Sequence, residues 1–234
     1  MRISLAVCLI SLAGFTGAAG AQTFSRQFQV TPRGGYVRYD DASGIKDAGA
    51  VGVDAMYNFT RMFSVGGGVM VARTVTEGSN FISQLRFGDT TFLFAVQQPL
   101  SILDATVNAT ARFPFGRFSP FVTGGIGSYK IYMDPQANAA PRQFSRMALQ
   151  IGGGLNIGLG RRSGLVLEIR DLIYTDFNRR RLNPNTSAAL LNTRFNEDVP
   201  IVSTAKKSLN NLMFSLGFSF SPGAGVENSD GDNR

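Results

Sequence analysis

The chain has 234 residues, a formal net charge of +7, 27 glycines, one cysteine and neither histidine nor tryptophan. The only cysteine, Cys8, lies in an apolar N-terminal segment, so the rest of the chain has no thiol. Because histidine is absent, the chain also has no imidazole. This composition excludes disulfides, cysteine nucleophiles, histidine-based acid–base catalysis and zinc sites with nitrogen or sulfur ligands. We therefore expect that the protein is not an enzyme and that it uses no cofactor and no metal.

Residues 1–21 have the pattern of a secretory signal peptide. Arg2 provides the positive start, residues 3–15 are apolar, and Ala19-Gly20-Ala21 fits a small-residue cleavage site. The apolar run is too short to span a membrane as a helix, and no run of about 18 apolar residues follows it. We expect an exported chain that begins near Gln22 and keeps a net charge of +6 once Arg2 is removed. An anionic membrane surface suits this charge and location better than nucleic acid.

Residues 22–221 form one predicted β domain, because large apolar side chains alternate with small or polar ones along most of it. In MALQIGGGLNIGLG, residues 147–160, every second residue is large and apolar, and glycine, Gln150 or Asn156 stands between them. In chain order, the predicted strands are 26–39, 47–59, 62–75, 91–113, 117–133, 145–159, 163–175 and 210–221. Their connections are alternately short and long, which is typical of an up-and-down barrel.

The two faces of the predicted strands indicate what lies on each side of the sheet. A closed barrel in a membrane places the apolar face against lipid and the glycine-rich polar face in a narrow interior. We therefore predict an all-β fold, an eight-stranded antiparallel up-and-down transmembrane β-barrel that is a monomer. The alternative is a secreted soluble β-barrel binding protein with the two faces reversed.

Charged residues at predicted inward positions form the first candidate site. They comprise Arg33, Asp54, Asp104, Arg112, Lys130, Glu168 and Arg170. Lys130 belongs to this set because Phe121, Tyr129 and Ile131 are assigned to the lipid face of the same strand. We favour a fixed polar core in which these charges pair with one another. The alternative is a gate whose ion pairs exchange partners to admit ions.

Two further patterns concern the ends of the barrel. Aromatic residues near strand ends predict girdles at the membrane interfaces; they are Tyr36, Tyr57, Phe59, Phe63, Phe113, Phe118, Phe121 and Tyr174. Pro99 predicts that residues 92–98 extend beyond the bilayer as the upper part of the fourth strand. Residues 222–234 are polar and predict a disordered periplasmic tail.

Three segments resemble the family of the OmpA-like β-barrel domain, the transmembrane domain of outer membrane protein A. GRFSPFVTGGIG (116–127) resembles its turn and glycine-spaced strand, GLVLEIRDLIY (164–174) its penultimate strand, and NLMFSLGFSF (211–220) its terminal strand. The resemblance covers about residues 26–221. It implies a place in the outer membrane of a Gram-negative bacterium, contact with outer-membrane lipid and lipopolysaccharide, and recognition by the barrel-assembly machinery. The chain has no peptidoglycan-binding domain, so that function is not implied.

The resemblance implies a structural or surface-interaction role with a polar lumen filled by side chains. The alternative is a narrow channel for small solutes or ions, as in barrels that resemble outer membrane protein W. Arg179, Arg180 and Arg181 stand in the last long loop, and Lys206-Lys207 follows later. Such a run either binds lipopolysaccharide phosphates or is a solvated charge run, and we leave both interpretations open.

Overall fold

The structure, a computed structural model, describes residues 27–78, 82–87, 89–95, 97–133, 142–160, 162–182 and 208–222. The predicted signal peptide, the predicted tail beyond residue 222 and Lys206-Lys207 lie outside the described residues. No helix in the described part of the chain is long and apolar enough to cross a membrane.

Eight antiparallel strands form one closed barrel, which confirms the predicted fold. The barrel strands are β1 (Gln27–Arg38), β2 (Ala48–Asn58), β3 (Phe63–Val75), β6 (Pro99–Arg112), β7 (Phe118–Met133), β8 (Arg142–Gly158), β9 (Ser163–Thr175) and β10 (Ser208–Phe220). Each pairs with the strands before and after it around the barrel, and β10 pairs with β1 to close it. Closure gives the backbone N–H and C=O groups of every strand a partner on both sides, as a membrane interior requires.

The two ends of the barrel differ in the length of their connections. Residues 59–62, 113–117 and 159–162 connect the strands at one end, which we call the short-turn rim. The barrel begins and ends at this rim, with Gln27 and Phe220. Residues 39–47, 76–98, 134–141 and 176–207 connect the strands at the other end, the long-loop rim. In outer-membrane β-barrels, short turns lie in the periplasm and long loops at the cell surface.

The prediction of a single fourth strand over residues 91–113 is wrong for residues 91–98. The barrel strand β6 begins only at Pro99, and the preceding residues form a separate hairpin of β4 (Ile82–Phe87) and β5 (Thr90–Ala95). Pro99 has no N–H to donate, so it is suited to the first position of a strand. Residues 90–95 pair with β4 instead of continuing β6, so the loop after β3 contains regular structure.

The outer wall of the barrel is apolar and the interior contains most of the polar side chains, as the alternation predicts. Val107 is 60% exposed and Ile151 62% exposed on the outer wall, whereas Asn108 and Gln150 next to them are buried. A soluble barrel would have the opposite arrangement. The exposed apolar wall therefore argues against the secreted soluble alternative and fits a wall in contact with lipid.

The predicted facing of β7 is wrong. Phe121, Tyr129 and Ile131 are buried inside the barrel, while Lys130 lies on the outer wall with its ammonium 4.8 Å from the centre of the Tyr132 ring. The register explains this, because Tyr129 pairs with Asp104, an inward residue of β6. Lys130 is therefore not a lumen charge, and Phe121 is not part of an aromatic girdle.

Candidate functional site in the barrel lumen

Four of the predicted lumen charges form one ion cluster, which consists of Arg33, Asp54, Glu168 and Arg170. Arg33 Nη1 lies 2.8 Å from Glu168 Oε2, and Arg170 Nε lies 2.6 Å from Glu168 Oε1. Arg170 Nη2 also lies 2.8 Å from Asp54 Oδ2, and Arg33 Nη2 pairs with the same oxygen. All four side chains are buried. Each carboxylate thus contacts both guanidinium groups, so the cluster is neutral as a unit.

Inward-facing glycines make room for this cluster. A Cβ atom at Gly68 would collide with Asp54 Oδ1, and one at Gly152 would lie 2.8 Å from Arg170 Cγ. A Cβ at Gly217 would lie 3.4 Å from Arg33 Cβ and 2.9 Å from a methyl group of Thr31. A barrel of eight strands has a narrow interior, so long charged side chains fit only where their neighbours have none.

Apolar and aromatic side chains fill the lumen between the ion cluster and the long-loop rim. Tyr129 and Tyr174 stack there with ring centres 4.1 Å apart and an angle of 11° between the rings. We call the following set the plug, since all its members are at most 1% exposed: Val37, Ile102, Tyr129, Ile131, Tyr174, Leu209 and Met213. The lumen is therefore polar only in part, and Tyr174 belongs to the plug and not to a girdle.

Asp104 and Arg112 point into the lumen but stand apart from the ion cluster. Asp104 lies against the plug, where its Oδ2 accepts a hydrogen bond of 2.9 Å from the Tyr174 hydroxyl. Arg112 lies near the short-turn rim and donates from Nη1 to Asn58 Oδ1 at 2.6 Å. The seven predicted lumen charges therefore separate into a cluster of four, two isolated groups and Lys130 outside.

The three arginines of the last long loop do not form one site. Arg179–Leu182 is a 3-10 turn at the long-loop rim. Burial lowers the pKa of Arg179, and the nearby negative charge of Glu77 opposes that shift. Arg181 is exposed, with its guanidinium carbon 5.8 Å from the centre of the Phe144 ring. The side chain of Arg180 lies outside the described part of the structure.

Two cavities occupy the lumen, and the ion cluster separates them. The cavity on the short-turn side is lined by Gln29, Asn108, Arg112, Thr123 and Asn156 among others, and the second lies between the cluster and the plug. Arg33, Asp54 and Arg170 line both. The described residues contain no group of three or more acidic side chains arranged to hold a metal ion.

Some lumen contacts were absent from the predicted site. Gln150 Nε2 of β8 donates to Asn108 Oδ1 of β6 over Gly125 of the strand between them, and Gln150 Oε1 accepts from Arg170 Nη1 at 3.3 Å. Both amides stand at inward positions of the predicted alternation, so a search for polar as well as charged inward residues would have found them. The plug had a signal too, since Tyr129 and Ile131 continue the inward series of Gly125 and Gly127.

A closed antiparallel barrel of eight strands with an apolar outer wall and a filled lumen defines an outer-membrane β-barrel protein. The sequence agrees, because the model of the family described as outer membrane protein beta-barrel domain matches residues 7–220. The chain belongs to this family, and its place is the outer membrane.

The comparison with solved structures found similar chains at low sequence identity. Neisserial surface protein A, from Neisseria, is 9% identical with a TM-score of 0.53, over 82% of this chain and 96% of that one. OprG from Pseudomonas aeruginosa is 11% identical with a TM-score of 0.44, over 84% and 97% of the two chains. Ail, the attachment invasion locus protein of Yersinia pestis, solved in complex with the heparin analogue sucrose octasulfate, is 12% identical with a TM-score of 0.42, over 83% and 99%. Curated protein sequences gave no match.

Proposed function

We propose that this protein is a closed, non-conducting barrel with a structural and surface-interaction role in the outer membrane. The plug is the observation that carries the proposal, because stacked rings and aliphatic side chains fill the lumen below the long-loop rim. Water and ions need polar contacts along their path, and this layer offers them few. The ion cluster forms a second barrier in series.

The ion cluster supports a fixed core better than a gate. Because Arg33 and Arg170 each contact both Asp54 and Glu168, moving one arginine leaves two carboxylates with a single partner each. Leaving a buried charge uncompensated costs about 3–5 kcal/mol. Even a cluster that exchanged partners would open only the short-turn side, since the plug lies beyond it.

Conductance in a planar lipid bilayer tests the proposal. We expect the wild-type protein to show no discrete openings, and the Tyr129→Ala/Tyr174→Ala double variant to conduct because it loses both stacked rings. Tyr132→Ala is the matched control, since Tyr132 lies on the outer wall of the same strand. A heat-dependent shift in electrophoretic mobility verifies that each variant is folded. Discrete wild-type openings would favour the narrow channel and refute the closed barrel.

The charge distribution at the long-loop rim supports a contact with lipopolysaccharide phosphates. Basic side chains stand on the β7–β8 side of this rim; they are Lys130, Arg142, Arg146 and Arg181. Arg181 lies over the ring of Phe144 on β8. Phe144 pairs with Ile131 of β7, the residue directly after Lys130, so Arg181 and Lys130 belong to the same side of the rim. Arg146 of this set is paired with Asp176. On the β1–β3 side, the acidic Asp40, Asp41, Asp47 and Glu77 outnumber the basic Arg38, Lys46 and Arg73. We infer that anionic headgroups bind on the basic side.

A further inference from the structure

We propose that the short-turn half of the lumen binds one small monovalent anion, such as chloride, beside Arg112. The proposed anion site does not depend on whether the barrel conducts, because it lies on the opposite side of the ion cluster from the plug.

The charged groups that line this cavity do not balance. Three are arginines (Arg33, Arg112 and Arg170), and two are carboxylates (Asp54 and Glu168). Both carboxylates are engaged by Arg33 and Arg170 at hydrogen-bond distance. Within the described residues, Arg112 forms no salt bridge, so the lining carries one positive charge in excess.

Arg112 is a buried cation whose side-chain partner is neutral. The residue is 8% exposed and donates to the amide oxygen of Asn58, which has no charge to offset its own. A guanidinium group has five N–H donors, so most remain for another acceptor. Buried charges in proteins are normally compensated by an opposite charge, and a water molecule supplies hydrogen bonds without supplying that charge.

Asn108 lines the same cavity but offers it no open donor, because its Nδ2 is enclosed by protein atoms. Asn108 is 2% exposed, and its Nδ2 has no hydrogen-bond partner among the described residues although its Oδ1 accepts from Gln150. Asn108, Thr110 and Arg112 stand at alternate positions of β6 and therefore share its inward face. One excess positive charge is neutralised by a single small monovalent anion, whereas a divalent anion would reverse the imbalance.

Aspartate and glutamate side chains of the protein itself are the alternative to a bound anion beside Arg112. Residues 27–33, 55–70, 105–133, 151–167 and 213–221 contain no aspartate or glutamate, so the strands around this end of the lumen offer none besides Asp54 and Glu168. Glu227, Asp230 and Asp232 follow β10, which ends at the short-turn rim. A carboxylate of that segment is the alternative source of negative charge, and the test separates it from a free anion.

Anomalous diffraction from crystals grown in sodium bromide tests the site directly. We expect a bromide peak at hydrogen-bond distance from the Arg112 guanidinium in the wild-type protein and no peak there in Arg112→Gln. The control Arg61→Gln removes an exposed arginine of the same rim and should retain the peak. The Glu227→Gln/Asp230→Asn/Asp232→Asn variant should also leave it unchanged.

A solution measurement covers the case in which Arg112→Gln does not fold. At equal ionic strength, sodium chloride should raise the unfolding temperature of the full chain in detergent by about 2–4 °C over sodium gluconate. Arg112→Lys keeps the charge and should retain most of this rise. Any one of three results would overturn the proposal. The wild-type crystals could lack the bromide peak, or a folded Arg112→Gln variant could show the same chloride effect as the wild type. The third is a bromide site that appears only when the tail acids are neutralised.

Discussion

Arg170 has more polar partners than a single ion pair provides. Its guanidinium donates to Glu168 at 2.6 Å, to Asp54 at 2.8 Å and to Gln150 at 3.3 Å, all within the lumen. Water contributes little to these groups, because their side chains are at most 8% exposed. Each carboxylate of the cluster therefore depends on protein partners, and removal of one arginine cannot be offset by solvent.

Replacing Arg170 with methionine should destabilise the barrel strongly. Methionine keeps much of the side-chain length but leaves Asp54 and Glu168 with Arg33 alone, so we expect a loss of about 3–5 kcal/mol in the free energy of unfolding. Urea unfolding in lipid vesicles measures it. Arg146→Met is the control, since Arg146 forms a solvent-accessible pair of 2.7 Å with Asp176 and should cost less than about 1 kcal/mol. Equal losses in both variants would contradict the role assigned to the cluster.

Strand β7 shows how one element serves two environments. Gly124 faces outward and Gly125 inward, although they are neighbours in the chain. A Cβ at Gly125 would collide with Asn108 Oδ1 and would lie 2.9 Å from Gln150 Nε2, whereas a Cβ at Gly124 has Gln150 O at 3.9 Å as its nearest neighbour. Close approach of the lumen side chains therefore requires glycine at residue 125 and not at residue 124.

Valine should be harmful at residue 125 and tolerated at residue 124. Gly125→Val displaces the Asn108–Gln150 hydrogen bond, so we expect it to destabilise the barrel by about 1–3 kcal/mol. Gly124→Val adds an apolar side chain to the lipid-facing wall and should change stability by less than about 0.5 kcal/mol. The fraction of each variant that keeps its heat-dependent shift in electrophoretic mobility, measured over a series of urea concentrations, reports the stability of the variant. Greater damage from Gly124→Val would mean that the inward and outward faces of β7 are assigned the wrong way round.

The whole molecule is polarised along and across its axis. Along the axis, a polar cavity, an ion cluster and an apolar plug follow one another from the short-turn rim toward the long-loop rim. Across the axis, basic groups on the β7–β8 side of the long-loop rim face acidic groups on the β1–β3 side. The outer wall between the rims is mostly apolar, so the polar groups available for specific contacts with the surroundings are concentrated at the rims.

Lipopolysaccharide binding should depend on the basic side of the long-loop rim. Each basic group near an anionic surface contributes about 1 kcal/mol, so Lys130→Gln/Arg181→Gln should weaken binding roughly 30-fold. Titration of the detergent-folded protein with fluorescent lipopolysaccharide measures this. Lys46→Gln/Arg73→Gln removes two exposed charges from the β1–β3 side and should change the affinity less than about three-fold. Equal weakening by both pairs would indicate only a general effect of net charge.

The local pattern of the sequence is sufficient for the strand alternation, and the alternately short and long connections predict an up-and-down barrel. In β8, each large apolar residue is followed by a small or polar one, and β2, β3 and β6 keep this order except at the inward-facing Met56, Met70 and Ile102. That order assigns the two faces of these strands. The inward position of Glu168 and Arg170, two residues apart on β9, also follows from it. A prediction of this kind needs no knowledge of the neighbouring strands.

Alternation by itself determined the strands and their two faces, because large apolar residues recur at every second position. Closure of the sheet into a barrel with the apolar face outward was decided by the tertiary structure. Tertiary structure decided which inward residues meet: that Arg33 and Arg170 share two carboxylates, that Arg112 stays apart, and that Tyr129 and Tyr174 stack. It also decided the facing of β7, where large residues on both faces leave the pattern ambiguous and only the pairing of Tyr129 with Asp104 resolves it. The physical reason is that contacts across the lumen join strands far apart in the chain, and no local pattern records the register that brings them together.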